Sequence, residues 1–427
     1  MRASRLNLGL LLKCAVIVIF FVFRGVSAQD NSGLAQGSYS IGTIAIYVGL
    51  PILVLPRLFA RTSYSLTGPI GYLFLLGVWF SLAVANTYMS ALAFDPLHIV
   101  LEFAGDLMLV LMVFVGFATR KELQWSVEAI ILAGLLTSCV AIYTYFTQGL
   151  ELFRYSALGA SGATYNTVAY LVAAAAWAGP ICGLAWRKGI GLLTRMYFVG
   201  TLVLLAACLL LTGSRGAVLA LLSASGMSLL AAKGVLGRRA VAIMTIGFAL
   251  AACGAFLAEA HSVRRLVETA KSGGHLGYAR DARGEMFLDA LDCVFSSGEA
   301  VLLGIGVGQY RYYETTYEID YPHNLFLDLA LNAGVPAALL MAVALLHVFR
   351  SLMRLNRGSA TDASRCLYLQ LLGIGVVSLV GGLVCFQFTS NLQLWIFLAL
   401  GARATLIGRP AQCEPNSRQV VQIASAV

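Results

Sequence analysis

The sequence predicts an all-α polytopic membrane protein with about 11–12 transmembrane helices and one large extracytoplasmic loop that contains short helices. Of its 427 residues, 59% are hydrophobic and only 11% are charged, a balance unlike that of soluble proteins of this length. The apolar runs are long and continuous, without the alternation that is typical of a transmembrane β-barrel. These two observations indicate helical spans.

The apolar stretches that predict spans share high hydropathy and short connections. In chain order they lie near residues 6–23, 39–56, 67–90, 97–118, 123–147, 166–186, 192–211, 215–232, 240–258, 324–349, 366–386 and 388–408. With a cytoplasmic N-terminus, the inner segments carry 19 of the 29 basic residues, whereas the short outer segments carry only Arg24, Arg154 and Arg215. The positive-inside rule favours this orientation, which accounts for the net charge of +9 without a nucleic-acid partner.

The first segment, residues 1–28, fits two descriptions. Arg2 and Arg5 precede an uninterrupted apolar run that is short for a span, and Val26-Ser27-Ala28 resembles a small-residue cleavage site. The segment is therefore either a cleaved signal peptide or a retained first helix. Both alternatives place Gln29 outside, so the predicted topology of the remaining chain is the same.

One long polar loop divides the rest of the chain. We expect residues 29–258 to form an N-terminal bundle, residues 259–323 the loop, residues 324–408 the C-terminal spans and residues 409–427 a cytoplasmic tail. The loop contains ten of the twenty acidic residues and lies outside by topology. A loop of this length with structure of its own is usually functional.

The loop itself contains an amphipathic stretch from Arg283 to Ser296, which predicts a short helix. A glycine-rich turn follows at residues 303–310. It neither follows a strand nor opens a Rossmann unit, so a dinucleotide site is not favoured. Tyrosines from Tyr310 to Tyr321 are either an interfacial aromatic belt or a platform for stacking sugars.

Arg215 lies between two apolar stretches, where a charge without a partner or a task is costly. Thr212 and Ser214 are good helix N-caps, and Gly213 and Gly216 permit close approach to the backbone. A guanidinium beside a helix N-terminus favours anions. These residues predict a phosphate bound at the membrane surface, and the alternative is an arginine that snorkels to the interface.

His323 lies at the outer end of the span that begins at Leu325, so it shares a membrane face with Arg215 and the loop arginines, chiefly Arg283. Arginines can clamp a diphosphate. A histidine at that interface can act as a general base or orient a nucleophile. The alternatives are a helix-capping or packing role for His323 and an ordinary surface position for Arg283.

Several stretches together resemble the signature of the O-antigen ligase and polymerase superfamily of bacterial envelope proteins. They are Leu209 to Ala220, Leu303 to Tyr310, Pro322 to Pro336, and Arg283 followed by Phe287, where the family usually has tryptophan. Arg154 to Asn166 is similar to the family's outer loop, which leads into a helix start that contains asparagine. The matches cover roughly residues 150–340 in the family's order.

The resemblance implies a GT-C-like, inverting, metal-independent glycosyltransferase that uses no cofactor. Such an enzyme takes a glycan from an undecaprenyl-pyrophosphate carrier at the periplasmic face of the inner membrane and transfers it to an acceptor hydroxyl, on lipid A-core or a related lipid or glycan. The alternative is a polymerase of O-antigen or exopolysaccharide repeat units. A polysaccharide or lipid-linked sugar transporter is less favoured, because charged residues lie at the edges of the spans rather than deep within them.

The same resemblance implies roles for individual residues. Arg215 and Arg283 would hold the pyrophosphate, and His323 would position or deprotonate the acceptor. Other residues are expected to bind pyrophosphate or glycan at the same face: Ser214, Gly216, Arg280, Tyr310, Tyr321, Asn324 and Arg154. No metal ligands are expected.

Overall fold

The fold is known from a computed structural model, which describes residues 8–23, 48–59, 68–89, 97–155, 165–186, 191–212, 214–231, 277–310, 322–359, 361–385 and 391–408. Within these ranges the regular structure is helical and contains no strand, which confirms the all-α prediction. Seven of the helices are long and apolar enough to cross a membrane, and three shorter apolar helices accompany them. The chain is therefore a polytopic helical membrane protein.

The helices of the described ranges are numbered here in chain order. They are α1 (Leu8–Phe23), α2 (Leu50–Phe59), α3 (Pro69–Met89), α4 (Leu97–Gly116), α5 (Arg120–Tyr155), α6 (Tyr165–Ala176), α7 (Cys182–Trp186), α8 (Leu192–Thr212), α9 (Arg215–Ala231), α10 (Gly277–Val294), α11 (Gly298–Leu303), α12 (Leu325–Gly358), α13 (Asp362–Val384) and α14 (Leu392–Ile407). A π-helical turn, Trp177–Ile181, joins α6 to α7.

Most predicted spans agree with these helices to within a few residues. Two helices are longer than predicted: α5 extends to Tyr155, and α12 extends to Gly358. Hydropathy marks only the apolar part of a helix, so the polar ends of these two were missed. The span predicted at residues 240–258 lies outside the described residues, as do the first part of the long loop and the tail.

Helix α13 lies at the centre of the bundle and packs against α9, α12 and α14. Its glycines make room for large rings. A Cβ at Gly373 would overlap the indole of Trp177, and a Cβ at Gly375 would overlap the ring of Phe397. Trp177 Nε1 also donates to Leu369 O at 3.1 Å. Small residues that let helices approach closely are the usual basis of helix packing in membranes.

Charged side chains from four helices meet at the turn between α4 and α5. Arg57 Nη2 lies 2.6 Å and Lys13 Nζ 3.7 Å from Glu122 Oε1. Both cations also donate to Gly116 O, at 2.7 and 2.8 Å, and Arg403 of α14 donates to the same turn. Cations complement the exposed carbonyls at a helix C-terminus. This charged clasp therefore ties α1, α2 and α14 to the end of α4.

Helix α12 is broken at Gly334, where φ is 82° and ψ is 168°. We call the part before the break, residues 325–333, α12a and the part after it, residues 335–358, α12b. Pro336 lacks an N–H group and cannot continue the hydrogen-bond ladder across this point. Trp79 Nε1 donates to Ala333 O at 3.0 Å and so satisfies a carbonyl next to the break. The hydropathy of the sequence predicts an unbroken span here, and the glycine at positive φ is the reason for the difference.

Candidate functional site

Four helices begin close to one another around the C-terminal end of α13. Before α9, Ser214 Oγ lies 3.1 Å from Asn166 Oδ1 at the start of α6. The first turn of α9 also approaches α13, because a Cβ at Gly216 would stand 3.5 Å from Val384 Cγ1. The starts of α6 and α9 therefore lie beside the end of α13.

The starts of α12 and α14 also lie beside the C-terminal end of α13. His323 Nδ1, just before α12a, lies 3.3 Å from Cys385 O at the end of α13. A Cβ at Gly382 would stand 2.8 Å from Asn391 Nδ2, just before α14, and 3.3 Å from Leu325 Cβ. Each helix N-terminus carries about half a positive charge. Their convergence makes this end of the bundle favourable for an anion.

Side-chain caps fix three of these helix starts. Ser214 Oγ accepts from Ala217 N at 3.4 Å, and Asn391 Oδ1 accepts from Leu394 N at 3.3 Å. Asn324 Oδ1 accepts from the backbone of both Phe326 and Leu327, at 3.1 Å each. Caps of this kind each contribute about 1 kcal/mol to helix stability. The cap that the sequence predicted at Ser214 is confirmed, whereas the predicted ligand contacts of Ser214 and Asn324 stay predictions.

His323 is half-buried and has an unusual backbone. Its φ is 53°, and among the described residues it alone combines a positive φ with a side chain. Such a conformation costs about 1–3 kcal/mol and persists where the surroundings impose it. Here the surroundings are the Asn324 cap on one side and the contact with Cys385 on the other. The arrangement aligns the imidazole with the end of α13.

The contact with Cys385 also selects a tautomer of His323. A carbonyl oxygen has no hydrogen, so the 3.3 Å contact is a hydrogen bond only if Nδ1 carries the proton. In that neutral tautomer Nε2 keeps its lone pair. A histidine whose Nδ1–H is held by a backbone carbonyl is arranged to accept a proton at Nε2.

The structure gives the helix positions of the four predicted arginines. Arg215 is the first residue of α9, beside the converging helix starts. Arg280 and Arg283 are three residues apart on α10, and Arg154 belongs to the last turn of α5. The side chains of these four arginines lie outside the described part of the structure, as does all of Tyr321. Their contacts with a ligand stay predictions.

Gly216 and Tyr310, two other predicted site residues, are packed against neighbouring residues of the protein. The hydroxyl of Tyr170 occupies the space that a Cβ at Gly216 would need, so the group that approaches this glycine is a tyrosine of α6. The side chain of Tyr310 is only 3% exposed, and its Oη donates to Met286 O at 3.2 Å. Burial, with smaller effects of Cys293 and Asp289, raises the pKa of Tyr310 to about 12. A buried ring presents no face to a sugar, so packing explains Tyr310 better than stacking does.

The amphipathic loop helix exists as α10 and begins six residues before the predicted start at Arg283. Met286, Ala290 and Val294 form its buried stripe, while Phe287 is 42% exposed. The buried face is therefore a single narrow stripe, and Phe287, the aromatic that follows Arg283, is accessible.

Cys385 and Asn391 were not predicted from the sequence. Cys385 acts through its backbone carbonyl, so its side chain gives no signal. Asn391 directly precedes an apolar run, which is an N-cap signal that could have identified it. In the described ranges, no three His, Cys, Asp or Glu side chains come close enough together to hold a metal ion.

Comparison with known families agrees with the resemblance seen in the sequence. Residues 200–342 match the family model described as O-antigen ligase. The match runs from the middle of α8 through α9 and the long loop into α12b, and it includes Arg215, Arg283 and His323. No curated protein matches the chain significantly. The match covers about a third of the chain and supports a relationship to the O-antigen ligase superfamily, a family that suggests an enzyme of the glycosyltransferase type.

Proposed function

We propose that the protein transfers a glycan from an undecaprenyl-pyrophosphate carrier to an acceptor hydroxyl, on lipid A-core or a related acceptor, at the periplasmic face of the inner membrane. The observation that supports this most is the convergence of four helix N-termini with His323 around the end of α13. Three of these helix starts, those of α6, α9 and α12, lie in the region of the sequence resemblance, and the last two lie inside the O-antigen ligase match. The site combines features that favour an anion with a candidate base.

The donor half of the site would be built around the start of α9. Arg215 would place a guanidinium beside the helix N-terminus that Ser214 caps, and Arg283 with Arg280 would approach from α10. When the glycosidic bond breaks, negative charge grows on the lipid diphosphate. Fixed guanidinium and N–H donors stabilise that charge without reorganising. We therefore propose that the reaction needs no metal ion.

The acceptor half would be built around His323. As the acceptor oxygen bonds to the anomeric carbon, its proton passes to His323 Nε2, which carries no proton in the tautomer selected by Cys385. The bond between the anomeric carbon and the diphosphate oxygen breaks, and its electron pair leaves with the lipid diphosphate. Attack from the side opposite the leaving group inverts the anomeric centre.

The distribution of charge along the helices supports the proposed orientation. The charged clasp around Glu122 lies at the end of α4 and near the C-terminus of α14, whereas the candidate site lies at the start of α14. The two therefore occupy opposite ends of the same helix. Cationic residues such as Arg57 and Arg403 are typical of the cytoplasmic side, which leaves the periplasmic side for the site.

Deletion of the gene, followed by analysis of envelope glycans, tests the reaction. A ligase is indicated if long-chain glycan disappears from lipid A-core while carrier-linked polymer accumulates. Accumulation of single carrier-linked repeat units indicates a polymerase instead. Unchanged envelope glycans would exclude both activities. Complementation with the wild-type gene is the control for effects on neighbouring genes.

The role of the His323 side chain as a base can be tested without changing the positive φ of its backbone. Asparagine tolerates positive φ better than most residues do, so His323→Asn removes the base while keeping the local conformation accessible. We expect loss of transfer with unchanged thermal stability. A protein with His323→Asn that transfers glycan at the wild-type rate would exclude His323 as the base.

A further inference from the structure

The glycine turn, residues 303–310, interlocks with the break in α12. Gly304, Gly306 and Gly308 have φ values of 83°, 111° and 73°, which side chains rarely allow. A Cβ at Gly304 would overlap the carbonyl of Leu331, and a Cβ at Gly334 would overlap the carbonyl of Leu302. Backbone therefore packs directly on backbone, and glycine is required on both sides.

Hydrogen bonds fix the glycine turn to α12a, the helix that His323 precedes. Ile305 N donates to Leu331 O at 2.9 Å, and Gly308 N donates to Asn332 Oδ1 at 2.7 Å. Asn332 Nδ2 in turn donates to Asp328 Oδ1 at 2.9 Å. All of these acceptors lie in the same short helix. The position of α12a is therefore tied to the conformation of the turn.

The glycine turn is also fixed to α3. Val307 N donates to Thr87 Oγ1 at 2.9 Å, and this hydroxyl donates to Ala83 O at 2.8 Å. Thr87 is only 2% exposed, so the bond is shielded from water. Trp79 Nε1, two turns earlier in α3, lies 3.2 Å from Leu302 O. Helix α3 thus provides a rigid support for the turn.

A third connection joins the glycine turn to α10. Tyr310 Oη, at the end of the turn, donates to Met286 O at 3.2 Å. Met286 follows Arg283 by three residues in the same helix. The turn therefore contacts the two elements to which the proposed function assigns the donor clamp and the base.

We propose that Thr87 is a positioning residue for glycan transfer. Its hydroxyl anchors the glycine turn to α3. The turn in its place holds α10, which carries Arg283, in a fixed position relative to α12a, which His323 precedes. The inference rests on the proposed function. Thr87 lies outside residues 200–342, so the family match gives no indication of it. A displacement of about 1 Å in a reacting group can lower a rate by about a hundredfold, so the anchor acts on turnover.

Four variants isolate this role. Thr87→Val keeps the shape of the side chain but cannot accept from Val307 N, whereas Thr87→Ser retains the hydroxyl. Thr405→Val is the matched control, since Thr405 is 3% exposed and donates within its own helix to Ala402 O at 2.7 Å. It lies on α14 at the end opposite the site. Tyr310→Phe tests the α10 connection if Thr87→Val does not fold.

Hydrogen exchange measures the anchor directly in the purified full-length protein. We expect peptides that cover the glycine turn to exchange faster in Thr87→Val than in the wild type, and not in Thr87→Ser or Thr405→Val. Unchanged protection of the turn in Thr87→Val would overturn the proposal. This measurement does not depend on catalysis, so it distinguishes a failure of the anchor from a failure of the proposed function.

Kinetics with a lipid-linked glycan donor then test whether the anchor positions the reacting groups. We expect Thr87→Val and Tyr310→Phe to lower kcat by about tenfold to a hundredfold with a smaller change in KM, and Thr87→Ser to restore kcat. A purely structural Thr87 would lower the yield of folded protein but leave kcat of the folded fraction unchanged, and that result would also overturn the proposal.

Discussion

Gly334→Ala should destabilise the protein strongly, and the structure gives the size of the effect. With φ 82° and ψ 168°, Gly334 occupies a region that is essentially restricted to glycine, where another residue costs about 1–3 kcal/mol. The new methyl group would also overlap the carbonyl of Leu302. That carbonyl belongs to the backbone and cannot rotate away, so overpacking adds about 1–3 kcal/mol. The expected total loss is about 2–6 kcal/mol.

Thermal unfolding of the purified protein in detergent, followed by the helical circular dichroism signal, measures this loss. Gly200→Ala is the matched control, because Gly200 lies in α8 and a Cβ there would meet no atom within 4 Å. Alanine favours a helix over glycine by about 1 kcal/mol, so the control should be neutral or slightly more stable. Equal Tm values for the two variants would refute the interlock between α12 and the glycine turn.

The remaining predictions concern the site, the first helix and metal dependence. Arg215→Ala should lower glycan transfer about a hundredfold. Arg195→Ala is the control and should leave transfer unchanged, because Arg195 is exposed on the preceding helix. Wild-type transfer by Arg215→Ala would exclude the clamp. Intact mass of the purified protein should include residues 1–28, because Lys13 is buried against Glu122; a mass without them would show cleavage. Transfer should persist in EDTA, and an inhibition that divalent metal reverses would contradict metal independence.

Hydropathy predicted most spans because a membrane helix pairs its backbone polar groups by internal hydrogen bonds and presents apolar side chains to the lipid. That signal depends only on local sequence. The break at Gly334 depends on a partner 30 residues earlier in the chain, where Gly304 leaves room for backbone contact. Pro336 is a local signal of a break, but no local pattern shows that the carbonyl of Leu302 packs against Gly334.

In the candidate site, too, the local features were predictable from the sequence and the long-range contacts were not. The Ser214 cap and the place of His323 before a span follow from local patterns, and the structure has both. The sequence also indicated that something approaches Gly216, but not that it is the hydroxyl of Tyr170. The bond from Val307 to Thr87 joins residues 220 positions apart, and no local pattern marks it.

The glycine turn shows why a motif must be interpreted through its contacts. Glycine-rich turns cradle phosphates when their backbone N–H groups are available to the ligand. Here the N–H groups of Ile305, Val307 and Gly308 already donate to Leu331 O, Thr87 Oγ1 and Asn332 Oδ1. Their glycines serve backbone packing rather than anion binding. We therefore expect a diphosphate to take its donors from the helix starts around α13 and from the arginines of the proposed function rather than from these three N–H groups, and we expect the turn to hold α10 and α12a in place.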